Sequence, residues 1–440
     1  MSAPAPGSCG APVPIHVSSA AGSDAQVDTN AGSSSSARRV DRRLAEFKMH
    51  HVHALEAIRH FLRTRSSYDV LPVSFRLNVL DTKLSVKAAL DAMFRAGVVS
   101  APLWRSTLDT KPELAPHPSD QSTLLDLRPG FAGMITVNDI IHLIQYYYHT
   151  ASNYDSVPLD VETMRLERLR EIEQTLRVPS SPLLWIEPLC SLADAGELLV
   201  RTHARRIPLL DRNEELGIET VVSVLTQYRL LKFIAMNCPE TTGLQASIGS
   251  LGIGTYTHAH SLERQRRKPR ARLRMHSNPP ADAGLYWPLA TATLDTTVFD
   301  VVHMFSELSI SAVPILDDDG DVVDLYEAVD VFTLLRTGAY EQLDLTIRQA
   351  LERRPADFPG VTCCTSDDSL ASIFALLKSR RIHRVLVLEP VYLPQTVDLH
   401  RVDDDLEDVP LRPKGRLVGL LSLSDILRYI VGSPPNQVSS

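Results

Sequence analysis

Basic side chains stand immediately before an apolar run near the end of the chain. In the segment RRIHRVLVLE, residues 380–389, Arg381, His383 and Arg384 precede residues that are typical of a buried strand. An arginine offers a planar guanidinium that binds phosphate oxygens in pairs and keeps its charge at any relevant pH. A neighbouring histidine adds a hydrogen bond or, when it is protonated, a further charge. These residues could therefore hold an anion.

A second apolar run, GRLVGLLSLSDILRYI at residues 415–430, ends in Ser422, Ser424 and Asp425 where a helix is predicted to begin. A carboxylate in this place can accept hydrogen bonds from both hydroxyls of a ribose. The serines supply donors, and the helix N terminus favours an anion. The two segments together offer what a mononucleotide requires. Taken singly, each has an ordinary alternative, because basic residues form surface ion pairs and an aspartate at a helix start serves as a cap.

The same arrangement recurs along the chain, which favours a binding role for the set over those ordinary roles. Each unit is predicted to contain a strand, an amphipathic helix, two further strands and a second helix. The second strands are VVSAPLW, ARRIPLLD, SISAVPILDDDG and RRIHRVLVLE. The junctions with the final helix are GMITVNDIIHLI, VVSVLTQYRLLKFI, VVDLYEAVDVFTLL and GLLSLSDILRYI. Alignment of these segments places in one column Pro102, Pro208, Pro314 and Leu386, and in another Asp139, Arg229, Asp330 and Asp425.

Composition is typical of a globular protein with two or more domains, since the chain has 440 residues, of which 44% are hydrophobic and 22% charged. A formal net charge of -8 argues against a nucleic-acid partner, and no apolar run predicts a membrane span. The five cysteines lack the spacing of metal ligands, and the N terminus lacks a secretory pattern. We therefore expect a cytoplasmic protein with no metal and no cofactor. The basic run at residues 264–274 is a candidate for nuclear import, which would add a nuclear location, or for binding a polyanion. A solvated disordered loop is the interpretation we prefer.

Catalytic motifs are missing from the sequence. It contains no kinase catalytic loop, no phosphate-binding loop of the Gly-x-x-x-x-Gly-Lys type and no complete dinucleotide fingerprint. We therefore expect that the chain is not an enzyme.

The segments SSYDVLPVSFRLNVLDTKLSVKAAL, VVSVLTQYRLLKF, DLYEAVDVFTLL and RRIHRVLVLE resemble cystathionine-β-synthase-type (CBS) repeats. All units in order, over about residues 45–433, resemble the γ regulatory subunits of AMP-activated protein kinase, the fungal form in particular. The resemblance implies an α/β (α+β) fold of four tandem CBS repeats, forming two paired-repeat (Bateman) modules arranged as a disc. It implies a non-catalytic energy sensor that binds AMP, ADP or ATP in central clefts and acts under glucose or energy limitation. The expected partners are a catalytic kinase α subunit and a scaffold β subunit. The alternative is a constitutive scaffold with vacant clefts.

Domain boundaries follow from the alignment. We expect a disordered tail over 1–38, a helix and linker over 39–70, and repeats over 71–150, 175–240, 250–340 and 343–433, with a second tail over 434–440. Repeat 3 is predicted to carry an insertion at about 257–287, and repeat 4 another at about 390–414.

The predicted binding residues come from the columns and from the resemblance. Phosphate is expected to contact Arg205, Arg206, His383 and Arg384, and the resemblance adds Arg354. Ribose and base are expected to contact Thr136, Asn138, Asp139, Thr255, Ala290, Ser311, Ala312, Asp330, Ser422, Ser424 and Asp425. The chain differs from the animal pattern at Val99, Arg205 and Tyr228, and Arg229 replaces the carboxylate of repeat 2. The main cleft is predicted around Arg206 and Arg384, with Asp330 or Asp425 as its carboxylate.

Overall fold

The computed structural model describes the four repeats and the helix that precedes them, and the chain divides into two units, Met1–Phe47 and Lys48–Ser440. The described residues are 32–106, 129–150, 163–176, 183–213, 215, 217–257, 288–336, 344–354, 358, 360–389 and 415–432. The predicted tails before residue 32 and after residue 432 lie outside them, as do both predicted insertions apart from residue 257. Among the described residues, none of the helices combines the length and the apolar character that a membrane crossing demands.

The strands of the described residues form one small sheet in each repeat. They are β1 (Leu80–Asp81), β2 (Ser100–Arg105), β3 (Gly130–Thr136), β4 (Arg206–Asn213), β5 (Ile218–Thr226), β6 (Thr255–Tyr256), β7 (Ala292–Thr293), β8 (Ala312–Leu316), β9 (Val322–Glu327), β10 (Cys363–Thr365), β11 (Arg384–Leu388) and β12 (Leu417–Ser422). Their orders are β1-β2-β3, β4-β5, β7-β8-β9 and β10-β11-β12-β6. In repeat 2 the expected first strand is reduced to a parallel bridge between Ile186 and Leu209.

The helices of the described residues follow the predicted order, and the helix before the repeats begins inside the segment predicted as a tail. They are α1 (Gly32–Thr64), α2 (Val86–Arg95), α3 (Val137–Thr150), α4 (Leu169–Thr175), α5 (Leu192–Arg201), α6 (Gln227–Asn237), α7 (Ile248–Leu251), α8 (Val298–Glu307), α9 (Ala328–Arg336), α10 (Ile347–Leu351), α11 (Leu370–Ser379) and α12 (Leu423–Val431), with 3₁₀ turns at Ser67–Val70, Leu166–Arg168 and Pro239–Gly243. A hydroxyl side chain caps the first helix of every repeat and so fixes where that helix begins. The caps are Ser85, Ser191, Thr297 and Ser369.

Strand register confirms the alignment of the repeats. The antiparallel partners at the start of the second strands are Ser100 and Thr136, Arg206 and Thr226, Ala312 and Glu327, and Arg384 and Ser422. Two residues further along, Pro102, Pro208, Pro314 and Leu386 occupy the equivalent position in their repeats. The predicted columns are therefore structurally equivalent positions.

A short segment precedes each repeat in the sequence, and we call it the leader segment of that repeat. Each leader segment is hydrogen-bonded to the other repeat of the pair. The leader segments of repeats 1 to 4 are residues 65–67, 164–167, 244–248 and 345–348.

Backbone hydrogen bonds show that the leader segments are exchanged between repeats. The N–H of Leu192 in repeat 2 donates to the carbonyl of Arg65 at 2.9 Å, and that of Val86 in repeat 1 donates to the carbonyl of Met164 at 2.8 Å. Repeats 1 and 2 thus complete each other.

Repeats 3 and 4 exchange their leader segments in the same way. The N–H of Ile248 donates to the carbonyl of Asp368 in repeat 4 at 2.9 Å. The N–H of Val298 in repeat 3 donates to the carbonyl of Leu345 at 2.8 Å. This reciprocal exchange confirms the two predicted paired-repeat modules.

Strand β6 belongs to the sheet of repeat 4, although it lies within the range 250–340 that was predicted for repeat 3. Thr255 pairs with Leu420 and Tyr256 pairs with Gly419. A side chain at Gly419 has no room, because a Cβ atom there would lie 2.7 Å from the carbonyl oxygen of Thr255. The glycine therefore permits the close approach of the two strands.

Three apolar cores connect the repeats within the described residues. The first joins repeats 2 and 4 to the face of α1 that carries Leu55, Ile58 and Leu62, and the second joins repeats 1 and 3. The third lies between repeats 3 and 4. Repeats 1 and 2 meet where the N–H of Phe131 donates to Glu219 Oε2 at 3.0 Å. Each repeat thus contacts two others, and the disc arrangement stays a prediction.

Replacement of Gly419 tests the close approach of β6 and β12. Gly419→Ala should lower the free energy of unfolding by about 1–3 kcal/mol, because the obstructing atom belongs to the backbone. Gly196→Ala is the matched control, since the nearest atom to its new Cβ is a methyl group of Val431 at 3.0 Å, which can move. Gly196 lies inside helix α5, where alanine is favoured by up to about 1 kcal/mol. Urea denaturation in which Gly419→Ala is as stable as Gly196→Ala would contradict this account.

Candidate functional site

The predicted ribose carboxylates all cap the helix on which they lie. Asp425 Oδ2 accepts from the backbone N–H of Ser422 at 2.9 Å and from its hydroxyl at 2.6 Å. Asp139 makes the same two contacts with Thr136, and Asp330 accepts from the N–H of Glu327 at 2.8 Å. The ordinary capping role is therefore present in each of the three repeats. Capping occupies only one oxygen, and Asp425 Oδ1 accepts no hydrogen bond from the described residues.

Arg384 connects repeat 4 to repeat 3. As the first residue of β11, its guanidinium donates to the carboxylate of Glu327 and to the hydroxyl of Ser311. Both partners are shielded from solvent, with Ser311 6% exposed. The structure thus brings together two of the predicted binding residues, Arg384 and Ser311. Glu327 was not predicted as a site residue. It occupies the last position before the final helix of its repeat, where the other repeats have Thr or Ser.

Arg206 is a partly buried cation that has no counter-ion among the described residues. Its guanidinium makes no ion pair or hydrogen bond with the described residues. Burial, together with the nearby charge of Arg381, lowers the pKa of Arg206 to about 10. A buried arginine ordinarily finds a carboxylate, so this unpaired charge marks a place that would favour an anion.

His383 lies beside these arginines and is neutral near pH 7. Its pKa is lowered to about 4 by desolvation, to which Arg381, Arg384 and Arg206 add repulsion, against the attraction of Glu327. The side chain is nevertheless exposed to solvent. Its ring centroid lies 5.6 Å from that of Tyr228, a residue of repeat 2. Repeats 2 and 4 therefore meet here.

A positive cluster results, which we call the basic cluster. Arg229 joins it from repeat 2, since the charge of Arg381 adds to desolvation in lowering the pKa of Arg229. Its guanidinium donates to the carbonyl of Val224 at 3.1 Å, in place of the capping contact that a carboxylate makes at this position in the other repeats. The members of the basic cluster are Arg206, Arg229, Arg381, His383 and Arg384.

Arg354 is held elsewhere, in an ion-pair network of repeat 3. Its Nε and Nη2 donate to the two carboxylate oxygens of Asp330 at 2.9 and 2.7 Å, and its Nη1 donates to Asp324 at 2.7 Å. The guanidinium also stacks over the ring of Phe358, 4.3 Å from its centroid. Burial alone would lower the pKa of Arg354, but the two carboxylates outweigh this effect and raise the pKa above its ordinary value. Its predicted phosphate contact would require it to leave Asp330, and it stays a prediction.

The remaining predicted residues are distributed over several repeats. The hydroxyl of Ser424 donates to Gln227 Oε1 at 3.0 Å and so connects repeats 4 and 2. Thr255 is buried in the sheet of repeat 4, and Ala312 is buried at the start of β8. Arg205 and Asn138 are exposed, and Ala290 is partly buried just before β7. The binding role of these residues stays a prediction.

Repeat 1 has an acidic neighbour that the alignment did not reveal. Glu173 from α4, a buried residue, faces Asp139 and lies 3.8 Å from His142 Nδ1. Desolvation, with the added repulsion of Glu173, raises the pKa of Asp139 to about 6 despite its hydrogen bonds with Thr136. Ser100 stands at the position where repeats 2 and 4 have an arginine. The carboxylates of repeat 1 therefore have no basic residue at that position beside them.

Comparison with known proteins identifies the family. The γ subunit of 5′-AMP-activated protein kinase from Saccharomyces cerevisiae is 37% identical to this chain over 378 residues, which cover 86% of this chain and 94% of that protein. The γ subunit from Kluyveromyces lactis is 35% identical over 379 residues, with coverage of 86% and 92%. The chain belongs to this γ-subunit family. It is a regulatory subunit and not an enzyme, as the resemblance had implied.

Further matches agree with membership of the γ-subunit family. Residues 283–336 match the family model described as the CBS domain. A solved structure from Methanocaldococcus jannaschii, described as a candidate archaeal homologue of the γ subunit, covers 83% of this chain and 99% of its own at a TM-score of 0.50. Its identity is 12%, so it shows a common fold alone. The predicted CBS-repeat fold class is confirmed.

The Arg354 network should stabilise repeat 3. Arg354→Ala leaves Asp330 buried without its cation, and we expect a loss of about 3–5 kcal/mol in the free energy of unfolding. Arg348→Ala is the control, because its ion pair with Asp295 at 3.5 Å joins side chains that are 55% and 83% exposed. That change should cost less than about 1 kcal/mol. Equal losses for the two variants in urea denaturation would contradict the importance of the network.

Asp139 should make stability depend on pH. Because its pKa is raised in the folded state, protonated Asp139 favours folding, and this contribution is lost as the pH rises from about 4 to about 6. Asp139→Asn should therefore raise the free energy of unfolding relative to the wild type at pH 7 but not at pH 4. Glu173→Gln, which removes the neighbouring charge, should reduce the same difference. Denaturation curves at both pH values test this, and a benefit of Asp139→Asn that is independent of pH would refute it.

Proposed function

We propose that this γ-subunit chain binds AMP, ADP or ATP through the basic cluster and thereby regulates a protein kinase under glucose or energy limitation. The observation that carries the proposal is the unpaired, partly buried charge of Arg206 beside further cations. A phosphate group would supply the missing counter-charge through charge-assisted hydrogen bonds. The names of the fungal relatives refer to a kinase activated by 5′-AMP, which supports the same ligand class.

The sugar of the nucleotide is best accommodated at repeat 4. Arg384 pairs in register with Ser422, so the basic cluster and the helix start of α12 lie on adjacent strands. Asp425 Oδ1 is available there for ribose hydroxyls, whereas both oxygens of Asp330 are bound by Arg354. Of the two carboxylates considered from the sequence, Asp425 is therefore the better candidate. The N terminus of α12 adds a favourable field for an anion.

Regulation would follow from differential binding. A phosphate that binds Arg384 competes with Glu327 and so changes the contact between repeats 4 and 3. Nucleotides that differ in phosphate number would favour different arrangements of this contact, and a kinase partner that senses it would respond. The partners we propose are a catalytic α subunit and a scaffold β subunit. The location we propose is the cytoplasm, and the nucleus as well if the basic run at residues 264–274 acts as an import signal.

Nucleotide titration tests the proposal directly. In calorimetry with the full-length chain, Arg206→Ala should weaken AMP, ADP and ATP binding by at least about tenfold, because a charge-assisted phosphate contact is lost. Its free energy of unfolding should not fall, since Arg206 has no partner among the described residues to lose. Arg348→Ala removes an equal charge from an exposed position and should bind normally.

Two outcomes would overturn nucleotide sensing. A wild-type chain that binds none of the three nucleotides, alone or in the kinase complex, would leave the constitutive scaffold as the better account. The double variant Arg206→Ala with Arg384→Ala gives the second criterion in the assembled complex. A scaffold would retain normal control of kinase activity in that variant, whereas a sensor would lose it.

A further inference from the structure

His51 is a buried histidine on the part of α1 that packs against the repeats. Its side chain is 5% exposed, whereas His53 and His60 on the same helix are exposed. It lies one turn before Leu55, which belongs to the apolar core shared with repeats 2 and 4. A polar ring in such a place requires hydrogen-bond partners, and both of its nitrogens find one on another element.

The two hydrogen bonds of His51 define its protonation state. Nδ1 accepts from the backbone N–H of Ala246 at 3.2 Å, and Nε2 lies 2.7 Å from the hydroxyl of Tyr429. Because a backbone N–H can only donate, Nδ1 carries no proton. The proton of the neutral ring is therefore on Nε2 and is donated to Tyr429. The geometry thus requires a neutral His51 in one particular tautomer.

These bonds attach α1 to two elements of the module of repeats 3 and 4. Ala246 belongs to the leader segment of repeat 3, and its carbonyl accepts from the N–H of Leu370, at the start of α11, at 3.1 Å. Tyr429 lies in the last turn of α12, where its carbonyl accepts from Arg59 of α1 at 3.2 Å. His51 therefore connects α1 with the leader exchange of this module.

Protonation of His51 would disrupt this arrangement. A charged imidazole carries a proton on both nitrogens, so Nδ1 would direct an N–H at the N–H of Ala246. The hydrogen bond would be lost, the backbone donor would be left unpaired, and a charge would stand in a buried place. Burial accordingly lowers the pKa of His51 below its ordinary value.

The ionisable groups on the elements around His51 do not offset this cost. They are Lys48, His50, His53, Glu56 and Arg59 on α1, Glu240 on the 3₁₀ turn at 239–243, Asp425, Arg428 and Tyr429 on α12, and Asp367 and Asp368 beside the leader segment. Among the described residues, no charge contributes to the shifted pKa of His51, for which burial is the cause. No carboxylate is therefore placed to stabilise a charged His51.

We propose that His51 is a pH-sensitive attachment of α1, which holds the helix on repeats 3 and 4 while the ring is neutral and weakens when the ring gains a proton. The contribution of the neutral ring is complete above about pH 6.5 and decreases as the pH falls below that value. Because α1 supplies part of the apolar core of repeats 2 and 4, acidification would loosen the contact between them. Acidity would then act on the subunit separately from the nucleotide binding proposed above.

Hydrogen exchange in the full-length chain tests the inference, because the N–H of Ala246 is released whenever the attachment opens. Mass spectrometry with electron-transfer fragmentation gives its exchange rate at about pH 7.5 and about pH 5.5, and each rate is divided by the intrinsic rate at that pH. The resulting protection should fall by about fivefold to tenfold at the lower pH, since a histidine that is neutral only in the attached state favours opening by up to about tenfold per pH unit.

An internal control is available in the other module. The N–H of Leu192 binds the carbonyl of Arg65 in the leader exchange of repeats 1 and 2, where His51 makes no contact. Its protection should not fall at the lower pH. A general loss of stability in acid would lower both values, so the two amides distinguish a local effect from a global one.

Three variants assign the effect to the ring of His51. His51→Asn places an amide oxygen near the position of Nδ1 that does not titrate, so the protection of Ala246 should be the same at both pH values. Tyr429→Phe removes the partner of Nε2, and it should lower the protection at both pH values while the pH dependence remains. His60→Gln is the matched control, because it removes an exposed histidine from the same helix, and it should behave as the wild type.

Two results would overturn the inference. The first is a wild-type chain in which the protection of Ala246 is equal at the two pH values. The second is a pH dependence that persists unchanged in His51→Asn. The first needs no variant, so the inference can fail even if His51→Asn does not fold, and either result would leave the proposed nucleotide binding standing.

Discussion

Backbone hydrogen bonds between leader segments and partner repeats are the constraint on which the rest of the structure depends. The N–H of Leu192 binds the carbonyl of Arg65, and equivalent bonds complete the other three repeats. A repeat without its partner's leader segment would expose these backbone groups at the start of its first helix, at a cost for each one that is buried. The two repeats of a module are therefore expected to fold together, which also fixes the positions of their strand ends.

The basic cluster depends on this constraint, because like charges remain close only when the surrounding structure holds them there. Arg206 and Arg384 belong to different modules, and the shared apolar core of repeats 2 and 4 keeps their strands together. Repulsion between Arg206 and Arg381 opposes folding, whereas Arg384 has its counter-charge in Glu327. An anion bound here would supply the remaining counter-charge, and perturbed charges often concentrate at binding sites.

Much of the site could be predicted from the sequence, because its columns depend on strand register. Arg206 and Arg384 are equivalent in their sheets, and each lies two residues before the aligned position of Pro208 and Leu386, as the alignment of the repeats indicated. The leader exchange could not be predicted, since it pairs segments that are far apart in sequence and carry no pattern of their own. Arg354 shows the same limit, because nothing in its local sequence indicates that Asp330 and Asp324 would enclose it.

The four repeats offer unequal sites, and the inequality has a physical cause in each case. Repeat 2 supplies cations but has Arg229 at the acidic position, and repeat 3 has a carboxylate that Arg354 already neutralises. Repeat 1 has Asp139 beside Glu173, with Ser100 where a base would stand. Among the described residues, repeat 4 alone combines its own basic residues with a carboxylate oxygen that accepts no hydrogen bond. The repeated architecture therefore brings unequal strand ends together around one candidate site in repeat 4, to which the neighbouring repeats contribute charge.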